Sequence, residues 1–440
     1  MQPHALTAAE AAAQIRAGSL TAEALLRSCL ERIEAREPVT RAFLHLDVEL
    51  ALRRARELDK RQAFGAAMGP LHGLPFAVKD VFDTKDMPTT LNSPIYEGFQ
   101  AGRDAAAVAV VRALGALIIG KADTVEFAST GRKALSTNPY NARHTPGGSS
   151  SGSAAAVGDF MAPLSFGTQT AGSLIRPASF CGIYGMKPSW QLVSREGLKN
   201  SSATLDTVGW YGRSVADLAL VASAYGVVTP EAPSVRGLRV GLCRSPVWNR
   251  IEPSGEAALS AAAQRLERAG AIVTDLTLPG EFAGLPDART LIGDYEGGAA
   301  FLPEALVFGD AFAPALRSKA TDRAKLSTSD VMAAYNLADA CRPRFDALFG
   351  AELDVVLTPA APGEAPEGLH TVGDWVFNGM WTLLHVPCVG IPCTRGPAGL
   401  PVGVQLVGPR LNDARLLAIA SACAPVIDED PEFGRRTLLG

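Results

Sequence analysis

The sequence predicts an α/β fold in which helices cover a β-sheet on both faces. Short runs that are apolar throughout, such as PFAV at 75–78, ALII at 116–119 and DVVLTP at 354–359, alternate with helical patterns. A strand buried on both faces reads as such a run, because neither face can alternate with polar residues. The composition, 47% apolar and 20% charged over 440 residues, is that of an ordinary globular chain. No internal repeat, low-complexity tail or linker divides it, so one domain over 1–440 is expected.

Element by element, Thr7 and Glu10 form a capping-box pattern that opens a first helix. A second helix follows Thr21, with Leu25, Leu26, Cys29, Leu30 and Ile33 as its apolar stripe. A more charged helix runs from about Val48 to Arg61. PFAV before Lys79 reads as a strand, as does ALII before Gly120, the latter after an alanine-rich helix from about Asp104. Residues 130–212 are rich in Gly, Ser and Pro, lack long periodic helices, and are where unusual backbone geometry is expected. Regular structure resumes at Arg213: VADLALVASAYG reads as a helix, LRVGLC as a strand, GEAALSAAAQRLERAG as a helix and AIVTDLTL as a strand. Residues 285–350 read as mostly helical. After DVVLTP comes the Pro/Gly-rich loop PAAPGEAPEGLHTVG, of a length often tied to function. VGVQLVG (402–408) is a strand and ARLLAIASACAPVI the closing helix.

Several function classes are disfavoured. The net charge of −4 is spread without single-sign blocks, so neither a nucleic-acid footprint nor a polybasic membrane patch is indicated. The longest apolar stretch, Ala105 to Ile119, is broken by Arg112 and too short to span a bilayer. No secretion-signal pattern is evident at the N-terminus, and the seven scattered cysteines (Cys29, Cys181, Cys243, Cys341, Cys388, Cys393, Cys423) lack a CxxC pair. Free thiols in a reducing cytoplasm are expected, with no zinc-type spacing to the six histidines and no metal.

Chemistry concentrates between Pro146 and Pro188. GGSSSGS carries Ser149 and GTQTAGS carries Ser173, in separate small-residue turns. Each turn alone reads as a connector or a tight bend as readily as a catalytic loop. Lys79 ends an apolar strand far upstream. Alone it reads as a packed stem with a hydrated amine, or else as a buried amine whose lowered pKa makes it a base. Serine is a weak nucleophile unless a base stands beside it, so the three together would permit acyl-enzyme chemistry without histidine.

The chain resembles the amidase signature family of serine hydrolases. The resemblance rests on Lys79 in FAVKD, Ser149 in GGSSSGS and Ser173 in GTQTAGSLIRP, with twenty-four positions between the serines as in that family. It extends through GKADTVEFA (120–128), NPYN (138–141), CGIYGMKPS (181–189), LDTVGWYGRSVADLAL (205–220) and GLPVGVQLVG (399–408). It implies a large mixed, twisted sheet, a core at about 70–215 and a helical substrate-pocket region at about 285–380. It also implies a Ser-cisSer-Lys triad acting on linear amides without a cofactor. Ser173 would be the nucleophile, Ser149 a proton relay after a cis peptide at Gly148, and Lys79 the base. The N–H groups of Thr170, Ala171, Gly172 and Ser173 would form the oxyanion hole. Ser150 would hold Lys79 in place. Tyr96, Phe127, Trp375, Phe377, Asn378 and Trp381 fall where relatives line the acyl pocket; as aromatics, most of them read equally well as core.

Three positions depart from the commonest family pattern. Gln169 stands for an aspartate, Ala171 for a glycine, and Arg176 falls three residues after the nucleophile rather than two. Ala171 fits only if its backbone stays where a Cβ is allowed. Gln169 and Arg176 look like the malonamidase-type branch, in which that arginine binds a substrate carboxylate, a group its planar fork suits. A structural arginine binding backbone carbonyls or a buried acid is the competing reading. Cys181, His72 and His144 read as packed or hydrogen-bonded structural residues.

The expected activity is hydrolysis of a small linear amide, releasing ammonia or an amine. The alternatives are an ammonia-passing component of an amidotransferase complex and a non-catalytic binding protein on the same fold. Expected partners are the small-molecule amide and, on frequency alone, a second copy of the chain in a homodimer; nucleic acid and membrane are not.

Overall fold

The computed structural model describes residues 2–428. Its centre is one 11-stranded mixed sheet. In chain order the strands are β1 (Phe43–Leu46), β2 (Pro75–Lys79), β3 (Leu117–Ala122), β4 (Leu164–Gln169), β5 (Tyr184–Lys187) and β6 (Thr207–Gly212). They continue as β7 (Arg239–Leu242), β8 (Ile272–Asp275), β9 (Val355–Pro359), β10 (Cys388–Arg395) and β11 (Pro401–Val407). Across the sheet the order is β1-β3-β2-β4-β6-β5-β10-β11-β9-β7-β8. Pairing is parallel at β3-β2-β4 and at β9-β7-β8, and antiparallel elsewhere.

Both faces are covered, and the strands show why they read as continuous apolar runs. In β9, Val355 and Leu357 join one core while Val356 joins the other. In β6, Val208 and Trp210 face the first and Tyr211 the second. The first core packs under the helices Val215–Ser223, Pro253–Arg268 and Asp413–Ile427. The second packs under Ile175–Phe180, Val376–Leu383 and the long helix Leu285–Phe308. The Thr7–Glu10 capping box forms as expected. No helix of the described residues is long and apolar enough to cross a membrane.

Five strands escaped the sequence reading: β1, β4, β5, β6 and β10. Three of them, β4, β6 and β5, lie at the middle of the sheet, inside the Gly/Ser/Pro-rich segment expected to be irregular. Their signal is diluted by Gly167, Gly185 and Gly209. At Gly167 a Cβ would come 2.9 Å from the Tyr211 ring and 3.0 Å from Ser150 Oγ, so small size there serves packing against the site.

Candidate active site

β2 delivers Lys79 at its C-terminal end, and β4 delivers Thr168 and Gln169 beside it. The segment after β4 carries Ser173 into the short helix Ile175–Phe180. Ser149 sits just before the helix Ser151–Gly158, and the Gly148–Ser149 peptide bond is cis. Ser149 and Ser173 both line one cavity of about 680 Å³, together with Thr170, Ala171, Arg176 and Trp375.

The Lys79 amine is fully buried. It donates to Ser149 Oγ at 2.8 Å and to Thr168 Oγ1 at 2.7 Å. Desolvation lowers its pKa to about 7, against a weaker upward pull from the Asp206 carboxylate. Both bonded partners are neutral hydroxyls, so no carboxylate in direct contact stabilises the ammonium form. Asp206 itself is buried; its carboxylate accepts from Thr170 Oγ1 at 2.6 Å and from the N–H groups of Ser201 and Ser202.

The turn around the nucleophile is clamped from two sides. Gln169 Oε1 accepts from the N–H groups of Leu174 and Ile175, both at 3.1 Å. Its Nε2 donates to Thr382 Oγ1, which in turn donates to the Ala171 carbonyl at 2.8 Å. Ala171 keeps a negative φ, so its Cβ costs the turn nothing. Gly172 has no such latitude, because a Cβ there would meet Asn378 Oδ1 at 2.5 Å. Among the described residues, the N–H groups of Ala171, Gly172 and Ser173 donate to no protein acceptor.

Arg176 is buried at the cavity wall. Its Nη2 donates to the Gly148 carbonyl, while Nε and Nη1 are buried without a partner. Burial lowers its pKa to about 10, which leaves it cationic at neutral pH. The structural reading accounts for one of its donor groups and leaves the other two.

Several expected positions fall elsewhere. Ser150 does not touch Lys79: its hydroxyl bonds the backbone of Thr168, accepting from the N–H at 3.1 Å and donating to the carbonyl at 3.2 Å. The lysine's second partner is Thr168, whose place on the apolar side of β4 after Phe166 was the available signal. Of the six pocket candidates only Trp375 lines the cavity. It precedes the helix Val376–Leu383, which turns Phe377, Asn378 and Trp381 into the protein. Phe377 packs edge-on to Trp248, Trp381 packs on Phe345, and Asn378 Nδ2 donates to the Ala360 carbonyl. Phe127 is core, between Phe301 and Phe312, and Tyr96 packs on Phe127 with its hydroxyl on Glu304. Cys181 and His144 are buried and bonded to the Pro146 and Ala365 carbonyls, and His72 is buried. No group of three or more His, Cys, Asp or Glu among the described residues could hold a metal ion.

The Amidase family model matches residues 24–417. The chain belongs to the amidase family. A curated relative from Chloroflexus aggregans, named as the A-type subunit of glutamyl-tRNA(Gln) amidotransferase, is 35% identical over 97% of both chains. A solved chain from a vestigial protein complex, tied to the origins of an s-triazine catabolic enzyme, superposes with a TM-score of 0.85. It is 27% identical and the match covers 95% of this chain and 98% of that one. The peptide amidase of Stenotrophomonas maltophilia gives a TM-score of 0.80 at 27% identity, covering 96% of each chain. The 11-stranded mixed sheet of this chain, covered by helices on both faces, is the fold class that the resemblance implied.

Proposed function

We propose that this amidase cleaves the C–N bond of a small linear amide through an acyl-enzyme on Ser173. The observation that carries the reading is Lys79: a buried amine with a pKa of about 7, 2.8 Å from Ser149 in the wall of the cavity that holds Ser173. In the first step Ser173 Oγ bonds the amide carbon as its proton passes to Ser149, whose own proton passes to neutral Lys79. The carbonyl oxygen, now anionic, is received by the free N–H groups of Ala171, Gly172 and Ser173, with that of Thr170 as the fourth donor of the turn. Collapse breaks the C–N bond, and the departing nitrogen takes the proton back from Lys79 through Ser149, leaving as ammonia or an amine. Water then bonds the ester carbon, its proton follows the same relay, and Ser173 leaves reprotonated with a carboxylic acid released.

Arg176 supports a substrate that carries a carboxylate, as in the malonamidase-type branch. Arg176 is a buried cation at the cavity wall with unpaired donors, and a substrate anion there would supply the counter-charge that it lacks. The names of the relatives favour a second reading, in which the amide is glutamine and the ammonia passes to a bound partner protein. Both readings share the acyl-enzyme chemistry and differ in the fate of the ammonia.

Ammonia release over a panel of neutral amides, acid-bearing amides and glutamine tests the proposal, with Ser173→Ala and Lys79→Ala as controls. Full activity in either variant overturns the mechanism. A stoichiometric partner that co-purifies and captures the ammonia decides for the amidotransferase reading.

A further inference from the structure

The cavity has a second charged wall, opposite in origin to Arg176 and supplied by two helices. Helix Leu285–Phe308 contributes Arg289 and Asp294, and helix Pro314–Asp322 contributes Lys319, with Arg323 just beyond its end. Including Arg176, four cationic side chains line the cavity against two carboxylates, Asp294 and Asp322. Neither carboxylate touches an arginine of this wall. Asp294 stands 3.3 Å from Lys319 and is half exposed, and Asp322 is turned to the exposed Lys325 at 2.6 Å.

This wall is built rather than incidental. Arg289 is fixed by donating Nε and Nη2 to the Thr170 carbonyl, at 3.3 and 3.0 Å, and by lying over the Trp375 ring at 4.4 Å. Its third nitrogen, Nη1, donates to no group among the described residues, and the residue lines the cavity. Arg323 is fixed in the same manner, donating to the Tyr295 carbonyl and lying over the Tyr295 ring at 4.1 Å. Lys319 crosses the long helix at Gly297, where a Cβ would meet its Cε at 2.6 Å, and Arg323 crosses at Gly298, where a Cβ would meet Arg323 Cβ. Glycine inside a helix costs about 1 kcal/mol relative to alanine. Two in succession are retained where they admit these cationic stems. Burial lowers the pKa of Lys319 and brings that of Arg289 to about 10, against an upward pull from the Asp294 carboxylate.

We propose that Arg289, Lys319 and Arg323 form a second anion subsite, so that the preferred amide carries two anionic groups. One meets Arg176 beside the nucleophile, and the other, a carboxylate or a phosphate, meets the helical wall. The inference rests on the amide-cleaving reading, and it adds specificity-determining residues from segments the reaction itself does not use.

The test compares three primary amides: a neutral one (propionamide), one with a single carboxylate (succinamate) and one with two (the monoamide of tricarballylic acid). Steady-state kinetics would show kcat/KM highest for the two-carboxylate amide. Lys319→Met and Arg323→Gln are each expected to raise its KM at least tenfold while changing the succinamate KM less than threefold. Equal effects on both acids, or no preference between them, overturn the proposal. A separate arm measures calorimetric binding of the two acid amides, and of a phosphate-bearing amide, to Ser173→Ala. Tighter binding of the doubly anionic amide, weakened by Lys319→Met, supports the subsite even if the unmodified protein turns over none of the three. Turnover with equal binding of the singly and doubly anionic amides sinks the subsite and leaves the chemistry standing. Arg289 also holds the Thr170 carbonyl, so the variants are placed at Lys319 and Arg323, which bond Asp294 and the Tyr295 carbonyl instead and separate substrate binding from disturbance of the turn.

Discussion

Two buried lysines end adjacent parallel strands of this sheet, and their surroundings give them opposite characters. Lys79 closes β2 and Lys121 lies in β3, where it pairs in register with Val78. Both side chains are buried, and burial lowers the pKa of both. Lys121 meets the Asp80 carboxylate at 2.9 Å, Thr89 Oγ1 at 2.8 Å and the Pro88 carbonyl at 3.0 Å. Lys79 meets only the hydroxyls of Thr168 and Ser149. Burial alone therefore does not make a lysine a base. The Asp80 carboxylate pulls the Lys121 pKa back up against burial, while Lys79, bonded to neutral hydroxyls, has its pKa brought to about 7.

The sharpest way to break this comparison is to remove each amine in turn. Lys79→Met is expected to lower kcat by more than about 10⁴, in line with loss of a member of a catalytic unit, while the denaturant midpoint holds or rises. Lys121→Met should do the reverse. It leaves Asp80 buried and unpaired, costing about 3–5 kcal/mol of stability, read by the midpoint, with residual activity in the folded fraction. Similar behaviour of the two variants would show that the contrast in partners does not matter.

A pH series sharpens it. If neutral Lys79 is the base, kcat/KM should rise with pH through an apparent pKa near 7 and level off above it. The same lowered pKa has a stability consequence. Between about 7 and the ordinary lysine range the unfolded chain holds a proton that the folded chain has lost, so this group's contribution to stability grows as pH rises through that window. Lys79→Met should flatten that rise, and denaturant midpoints at pH 7, 8.5 and 10 would reveal it. An acid limb that stays unchanged when Thr168 and Ser149 are altered would point to another group.

The smallest effect is expected at the hydroxyl that the sequence reading did not assign. Thr168→Val should cost roughly tenfold in kcat, the scale of one hydrogen bond to a group that becomes charged, with KM little changed and the acid limb displaced. Thr168→Ser should restore the profile. A stability loss without any displacement of the pH profile would make Thr168 a packing residue.

Lys79, Ser149 and Ser173 were legible because each sits in a short, unusual run, and the order of the runs supplied the rest. The central strands were harder to see, because β4, β5 and β6 keep their glycines for close packing and so weaken their own pattern. The pocket candidates stayed open between pocket and core for a related reason. Position in a segment does not say which face of a helix turns inward, and the helix after Trp375 buries Phe377, Asn378 and Trp381.

The sequence by itself determined the α/β class and the candidate triad, because those depend on residue types and local spacing. Only the tertiary structure decided which acid answers which amine. Asp80 follows Lys79 directly in the chain, yet it pairs with Lys121 across the strands, because successive side chains at a strand end point to opposite sides. That choice leaves Lys79 with hydroxyls for company. The cationic wall of the cavity was likewise invisible in one dimension, since Arg176 and Lys319 meet at one cavity only through the packing of distant helices.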